Sequence, residues 1–377
     1  MTKKKRIAIL TGGGDCPGIN AVIRAVVKKA ILQHRMDVIG VEDGYEGLVE
    51  SRHRALRYAD VSGILTLGGT ILGASKTSNP YRYPVTRAGK VVLKDYSRKA
   101  VAEYKRLAAD CLVCIGGDGT LGIAHRLMGD GVPVVGIPKT IDNDLRGTDI
   151  TFGFDSAVAV AAEAIDRIHT TAQSHHRVMI VEVMGHRAGW IALYAGVAGG
   201  GDIILIPEIP YDIRSVLAKV RDRNRQGKRF SILVVAEGAK PQGGQAVIQR
   251  LVAKSADAVR LGGVSFVLGE QIEKLSGLET RAVVLGHLQR GGTPTSFDRV
   301  LATALGAEAV DLVVQGRFGR MVAVRSGAVA SVPLETAAGG PRLVSLDHPL
   351  LAAARAVGTS FGDEKISKNP AFKPELR

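Results

Sequence analysis

The chain has 377 residues, 46% hydrophobic and 23% charged, with a formal net charge of +14. That length suffices for two α/β domains or one large one with a full core, and the mixture is that of a soluble globular protein. No apolar run reaches the roughly 18–20 residues of a membrane-spanning helix, and an aromatic content of 5%, without an RNA-binding aromatic signature or zinc-finger spacing, argues against nucleic acid as the partner of the positive charge.

The start, Met1-Thr2-Lys3-Lys4-Lys5-Arg6, leads straight into a strand-like run with no signal-peptide core, so a cytoplasmic protein is expected. Ile7-Ala-Ile-Leu10 predicts the first strand and Gly12-Gly-Gly-Asp-Cys-Pro-Gly18 a turn after it. Ile19, Val22, Ile23, Val26, Val27, Ala30 and Ile31 then recur at helical spacing. Strands are predicted at 37–41 and 63–67, the second leading into Gly68-Gly-Thr-Ile-Leu-Gly73. A helix over 97–109 precedes a strand at 111–115, which runs into Gly116-Gly-Asp-Gly-Thr120. A strand at 134–137 runs into Pro138-Lys-Thr-Ile-Asp-Asn-Asp144. A helix at 156–168, strands at 178–183 and 202–206, a helix at 213–221 and a strand at 231–236 follow. The stretch 362–377, charged and with two prolines, reads as an arm or disordered end.

This alternation predicts an α/β fold with doubly wound, mainly parallel sheets covered on both faces. Such sheets bind ligands at the carboxyl ends of their strands, and the glycine-rich and charged segments are predicted to lie there. The three cysteines are too few for a disulfide framework. Cys111 and Cys114 lie in one apolar strand, and side chains three apart on a strand point to opposite faces, so they are read as core rather than as a redox or metal pair.

Glycine loops after strands suit phosphate, because backbone N–H groups can approach the anion and the following helix N-terminus favours negative charge. Asp118 adds a carboxylate that could hold magnesium, which binds through one or two carboxylates plus substrate phosphates; its alternative is an Asx turn. In 138–144, Lys139 and Thr140 precede two carboxylates, Asp142 and Asp144, which sets a cation beside a general base. Phosphoryl transfer needs positioning, charge neutralisation and a group that deprotonates the attacking hydroxyl, and an aspartate ionised at neutral pH can do the last.

These motifs resemble the phosphofructokinase family from about Ile7 to Arg299. The match includes Met184-Gly-His-Arg-Ala-Gly-Trp190, Pro207-Glu208, Ala236-Glu-Gly238, Arg281-Ala-Val-Val-Leu-Gly-His-Leu-Gln-Arg-Gly-Gly292 and Phe297-Asp-Arg299. The resemblance implies two Rossmann-like domains with the active site in the cleft between them. The expected boundaries are 1–153 plus 289–340 for the phosphoryl donor, 154–288 plus 341–361 for fructose 6-phosphate, and 362–377 as a tail. It also implies that Asp142 accepts the proton of the sugar C1 hydroxyl, that Thr140 touches the transferred phosphate and that Asp144 helps electrostatically. Asp118 is the implied Mg2+ ligand, and Gly13, Lys76, Thr77, Gly117, Gly119 and Thr120 complete the donor site. Met184, Gly185, His186 and Glu237 are expected at the sugar, with Arg177, Arg281, His287 and Arg290 as the cations around the phosphates. The counterparts of Arg177 and Arg281 reach in from a neighbouring subunit, so a homo-oligomer, a tetramer or dimer, is implied.

Two features depart from the common pattern. His186 stands where many bacterial relatives have arginine, and a neutral imidazole supplies no permanent charge. Of the arginines tied to effector control, Arg24 is present, while Lys28 and His169 replace others. The donor positions are mixed. Gly119 leaves room for ATP where pyrophosphate enzymes carry aspartate, whereas Lys139 is the residue of pyrophosphate enzymes. A carboxylate against the α-phosphate is both a clash and a like-charge repulsion, so Gly119 decides for ATP. A pyrophosphate-dependent enzyme and a non-catalytic sugar-phosphate sensor are the alternatives; the second would have a broken 138–144 segment.

Overall fold

A computed structural model of the chain describes residues 4–75, 77–87, 89–251 and 259–365. They fall into two compact units, one built from Met1–Ser156 and Arg290–Arg342, the other from Ala157–Leu251, Val259–Gln289 and Leu343–Arg377.

The first unit opens with β1 (Arg6–Thr11), α1 (Ile19–His34), β2 (Asp37–Val41), α2 (Tyr45–Glu50) and β3 (His53–Ala55). A hairpin of β4 (Tyr83–Arg87) and β5 (Lys90–Lys94) precedes α3 (Ser97–Leu107), β6 (Cys111–Gly116), α4 (Asp118–Gly129) and β7 (Val134–Pro138). Helix α5 (Phe154–His175) leads to β8 (Val178–Val183), α6 (Trp190–Ala198), β9 (Ile203–Leu205), α7 (Ile213–Arg225) and β10 (Ser231–Ala236). The second unit continues with β11 (Ile248–Leu251), β12 (Val259–Leu261), α8 (Val264–Ser276) and β13 (Thr280–Val284). The first unit resumes with α9 (Ser296–Val314), β14 (Arg320–Arg325) and β15 (Ala328–Pro333), and α10 (Pro349–Ala356) belongs to the second.

Among the described residues, the main sheet of the first unit has the order β15-β14-β7-β6-β1-β2-β3. It is parallel except at its two edges, where β3 and β15 run antiparallel to β2 and β14. The sheet of the second unit, β13-β8-β10-β9, is parallel throughout. Both units are α/β layers of the doubly wound kind. Strands β6, β7, β8 and β10 are buried along their whole length, as expected of strands covered on both faces. Ala8, Leu10, Leu112 and Cys114 face a core shared with Tyr45, Leu48, Tyr104 and Leu121. On α9, Gly306 permits close approach to α1, since a Cβ there would lie 2.9 Å from Val22 O. Cys111 and Cys114 are free and fully buried.

The strand expected at 63–67 is instead a 3-10 turn, Ile64–Thr66. Gly63, left-handed at φ 76°, turns the chain before it, and Leu67 N–H closes back on Ile64 O at 3.1 Å. The buried side-chain amide of Asn20 then donates to the carbonyls of Leu67 and Gly68 at 3.1 Å, and its Oδ1 accepts from Ile71 N–H at 2.9 Å, which ties the end of the turn to the loop after it. The Gly68–Gly73 loop therefore does not follow a strand. Of the stretch read as a tail, 366–377 lie outside the described residues. Its beginning packs on the second unit, where Ser215 Oγ donates to Glu364 at 2.6 Å and Asp212 N–H donates to Gly362 O at 2.7 Å. No helix among the described residues is long and apolar enough to cross a membrane.

Candidate active site

In the first unit, three of the sequence motifs leave the carboxyl ends of adjacent strands β1, β6 and β7. Their glycines have distinct reasons. A Cβ on Gly116 would lie 2.3 Å from Thr120 Cβ, and one on Gly12 would lie 2.6 Å from Thr120 Oγ1. Thr120 is thus a buried packing post that draws the first and second loops together, a role that its place in a glycine-rich segment does not reveal. Tyr45, from α2, fixes it further by donating to Thr120 O at 2.7 Å. Gly13 has a left-handed backbone (φ 77°), and its N–H donates to Ser75 O at 3.4 Å, which brings Ser75 beside the loop. Thr77 N–H reaches Ser75 Oγ at 3.4 Å. Lys76, expected at the donor, lies outside the described residues. Gly119 differs from its neighbours, because a Cβ there would meet nothing within 4 Å. Packing does not demand glycine at 119; the space in front of it is open. Gly117 caps α4, and Asp118 is the helix's first residue, exposed, with Oδ1 accepting from Gly119 N–H at 2.6 Å. That bond reaches only the next residue, not the second residue on as an Asx turn would, and it leaves the carboxylate at a helix N-terminus facing solvent.

The segment after β7 is a pinned loop. Lys139 is buried, 3% exposed, and its Nζ donates to the carbonyl of Gly14. Thr140 Oγ1 accepts from Asp142 N–H at 3.1 Å and lies 3.4 Å from Asp142 Oδ2. Asn143 takes the left-handed backbone (φ 52°) that asparagine tolerates, and its Oδ1 accepts from Thr151 N–H at 3.0 Å. Thr151 Oγ1 donates to Thr140 O at 2.8 Å, Arg342 donates through Nη2 to Asn143 O at 2.7 Å, and Arg342 N–H donates to Asp144 O at 2.6 Å. So braced, Asp142 keeps one oxygen, Oδ1, buried and without a hydrogen-bond partner. Burial, then the negative charges of Asp142 and Asp118, push the Asp144 carboxyl up to about 7. Three carboxylates are close enough to feel one another. Arg290 also belongs to this unit and donates through Nη1 to Asp15 O at 3.1 Å.

In the second unit, Met184, Gly185 and His186 follow the carboxyl end of β8, Glu237 that of β10, and His287 that of β13. His186 N–H donates to Glu237 Oε1 at 2.9 Å, which ties the first two loops together. Gly185 (φ 143°) and His186 (φ 53°) both bend there, and a Cβ on Gly238 would lie 2.3 Å from His186 O. Met184 N–H donates to Gln289 Oε1 at 2.9 Å. Gln289, fully buried, lies inside the 281–292 motif, and nothing in the sequence around it signals its burial. Glu208 is a brace: its carboxylate accepts from Gly189 N–H at the start of α6 and from Val344 N–H at 2.9 Å. His287 is exposed.

Arg177 and Arg281 sit elsewhere. Arg177 immediately precedes β8 and Arg281 is the second residue of β13, at the amino ends of these parallel neighbours. Both pair with Glu279, Arg177 at 2.9 Å. The strand between Arg177 and Met184 spans about 20 Å at ~3.3 Å per residue, so within one chain the two arginines are not brought together with His186 and Glu237.

The family model described as phosphofructokinase matches residues 6–313. The chain belongs to the phosphofructokinase family. It is 50% identical over 365 residues to the ATP-dependent 6-phosphofructokinase 2 of Clostridium perfringens, covering 96% of this chain and 100% of that protein. It is also 50% identical over 347 residues to the pyrophosphate–fructose 6-phosphate 1-phosphotransferase of Amycolatopsis mediterranei, covering 91% and 97%. Among solved structures, Pichia pastoris phosphofructokinase in the T-state superposes with a TM-score of 0.75 at 34% identity over 89% of this chain. The chain spans only 37% of that yeast subunit.

Proposed function

We propose that the chain is a cytoplasmic, glycolytic 6-phosphofructokinase that transfers the terminal phosphoryl group of ATP to the C1 hydroxyl of fructose 6-phosphate. The observation that carries this reading is Asp142 Oδ1, a buried carboxylate oxygen with no partner in a loop otherwise fully braced. An unsatisfied buried acceptor costs about 1–3 kcal/mol, and a sugar hydroxyl donating to it relieves that cost as it gives up its proton. Thr140 stands beside the carboxylate to steady the transferred phosphate, and Lys139 supplies a fixed cation at the Gly13–Gly14 backbone. The second unit's His186 and Glu237 would hold the sugar, with His287 near its phosphates.

Magnesium fits the first unit. Burial, and after it the charges of Asp142 and Asp118, raise the Asp144 carboxyl, and a cation would offset that surplus of negative charge. Among the described residues no group of three or more His, Cys, Asp or Glu forms a metal cage, so Asp118 would hold the ion together with substrate phosphates. Bound there, magnesium would supply neutralisation of the donor polyphosphate.

Overall similarity does not choose the donor, because equally identical relatives carry both names. The open space at Gly119 supports ATP. Formation of fructose 1,6-bisphosphate, followed first with ATP and then with pyrophosphate, tests this: turnover with ATP is expected, and turnover with pyrophosphate alone would overturn it. Gly119→Asp should fold normally and lose most ATP-driven activity. The placement of Arg177 and Arg281 at the far end of their strands supports a homo-oligomer in which they serve a neighbour's site.

A further inference from the structure

The loops of the first unit share an anchor that lies outside every glycine-rich motif, in the residues that lead from β2 into α2. Asp43 N–H donates to Leu72 O at 2.7 Å, and a Cβ on Gly73 would lie 2.2 Å from Asp43 Oδ1. Gly44 takes a positive φ of 65°, and a Cβ there would lie 2.8 Å from Thr11 O, the last residue of β1. Tyr45 holds the 116–120 segment through Thr120 O. Three consecutive residues thus pack on the end of β1, on the Gly68–Gly73 loop and on Thr120.

Glu46, the next residue, reaches a fourth segment. Its Oε2 accepts from Ser78 Oγ at 2.8 Å and its Oε1 from Arg52 Nη2 at 2.8 Å. Arg52 Nη2 also lies 3.2 Å from Asp43 Oδ2, so one guanidinium holds both acids. Ser78 is buried and gives its hydroxyl proton to Glu46, so in its 2.5 Å contact with Ser75 Oγ it is Ser75 that donates. Ser75 Oγ in turn accepts from Thr77 N–H at 3.4 Å, and Ser75 O accepts from Gly13 N–H. The hydrogen bonds run one way, from Thr77 to Ser75 to Ser78 to the carboxylate. A carboxylate only accepts, and bonds to a charged acceptor are the strong ones, so Glu46 sets that direction. Burial raises the Glu46 carboxyl, but the bonds from Ser78 and Arg52 outweigh it and hold the group below its ordinary range, ionised at neutral pH. In the chain, Ser75 and Ser78 stand on either side of Lys76 and Thr77, which the resemblance assigns to the donor.

We infer that Glu46 is a positioning residue for the phosphoryl donor: it fixes Ser78 and, through it, Ser75 beside the Gly12–Gly14 loop. The inference rests on the reading of these loops as the donor site. The test is steady-state kinetics of Glu46→Ala, Ser78→Ala, their double variant and Glu46→Gln, with ATP and fructose 6-phosphate varied separately. In Glu46→Ala the KM for ATP should rise about tenfold or more, while kcat and the KM for fructose 6-phosphate stay within about threefold. Ser78→Ala should raise the KM for ATP as well, and the double variant should be no worse than Glu46→Ala, because both changes break one chain of hydrogen bonds. The amide of Glu46→Gln can still meet Ser78 and Arg52, so this variant should recover most of the loss. A KM for ATP within about twofold of the wild type in Glu46→Ala would overturn the inference. So would single effects that simply add, or equal rises in the KM of both substrates, the mark of a general loss of structure. Should Glu46→Ala not fold, Ser78→Ala decides by the same criterion. A wild type that turns over with pyrophosphate alone overturns the choice of donor, and the same comparison of the KM for pyrophosphate then decides the role of Glu46.

Discussion

Asp144 links the site to stability. Burial and the neighbouring charges of Asp142 and Asp118 hold its carboxyl up at about 7, against about 3.9 in an unfolded chain. A raised acid contributes stability that is full below the unfolded value and is lost as pH rises through the folded one. In metal-free buffer the wild type should therefore lose stability relative to Asp144→Asn between about pH 4 and pH 7. Urea midpoints of the two proteins across that range check it, and parallel curves would contradict it. Individual residues were legible in the sequence where their chemistry was local. Asp142, Thr140 and Lys139 share seven residues, and Asp118 lies at the start of a helix after a strand. Arg342 was not legible, because it reaches Asn143 O from a distance of 199 residues with no motif around it. Thr120's packing against two glycines also needs the third dimension.

Elements that are buried on both faces were the readable ones. The strands at 178–183 and 231–236 match their apolar runs, since a parallel central strand has no polar alternation to blur it. The edge strands β3, β13 and β15 are partly exposed and mix polar with apolar residues, so periodicity did not mark them. The 63–67 segment has strand-like residues, but the left-handed Gly63 turns the chain and Leu67 N–H closes back on Ile64 O. Loop geometry at the ends of β8 and β10 carries its own prediction. In Gly238→Ala the added methyl meets His186 O, so the His186 loop must shift. The KM for fructose 6-phosphate should rise roughly ten- to a hundredfold, a size typical of ångström-scale misplacement, with a smaller change in kcat. An unaltered KM in steady-state assays would show that this loop does not position the sugar.

At the scale of the whole molecule, the proposed function has the cationic set completed by a second copy of the chain. Arg281 stands at the amino end of β13 beside Arg177, and His186 stands after the carboxyl end of β8. If Arg281 serves a neighbour's site, two inactive variants, Arg281→Ser and Asp142→Asn, should complement when refolded together. In random twofold pairing about a quarter of the sites would then combine an intact Asp142 with an intact Arg281. Activity recovered to that order would support shared sites, and a mixture as inactive as its parts would contradict them. The central claim is narrower: the buried, unpartnered oxygen of Asp142 takes the proton of the sugar hydroxyl. Its most direct test is Asp142→Asn, an isosteric change that removes the base, with turnover and fructose 6-phosphate binding measured on one preparation. Turnover should fall by about 10²–10⁴-fold, the usual contribution of a general base, while sugar-phosphate affinity stays near that of the wild type; turnover within a few-fold of the wild type would contradict the account.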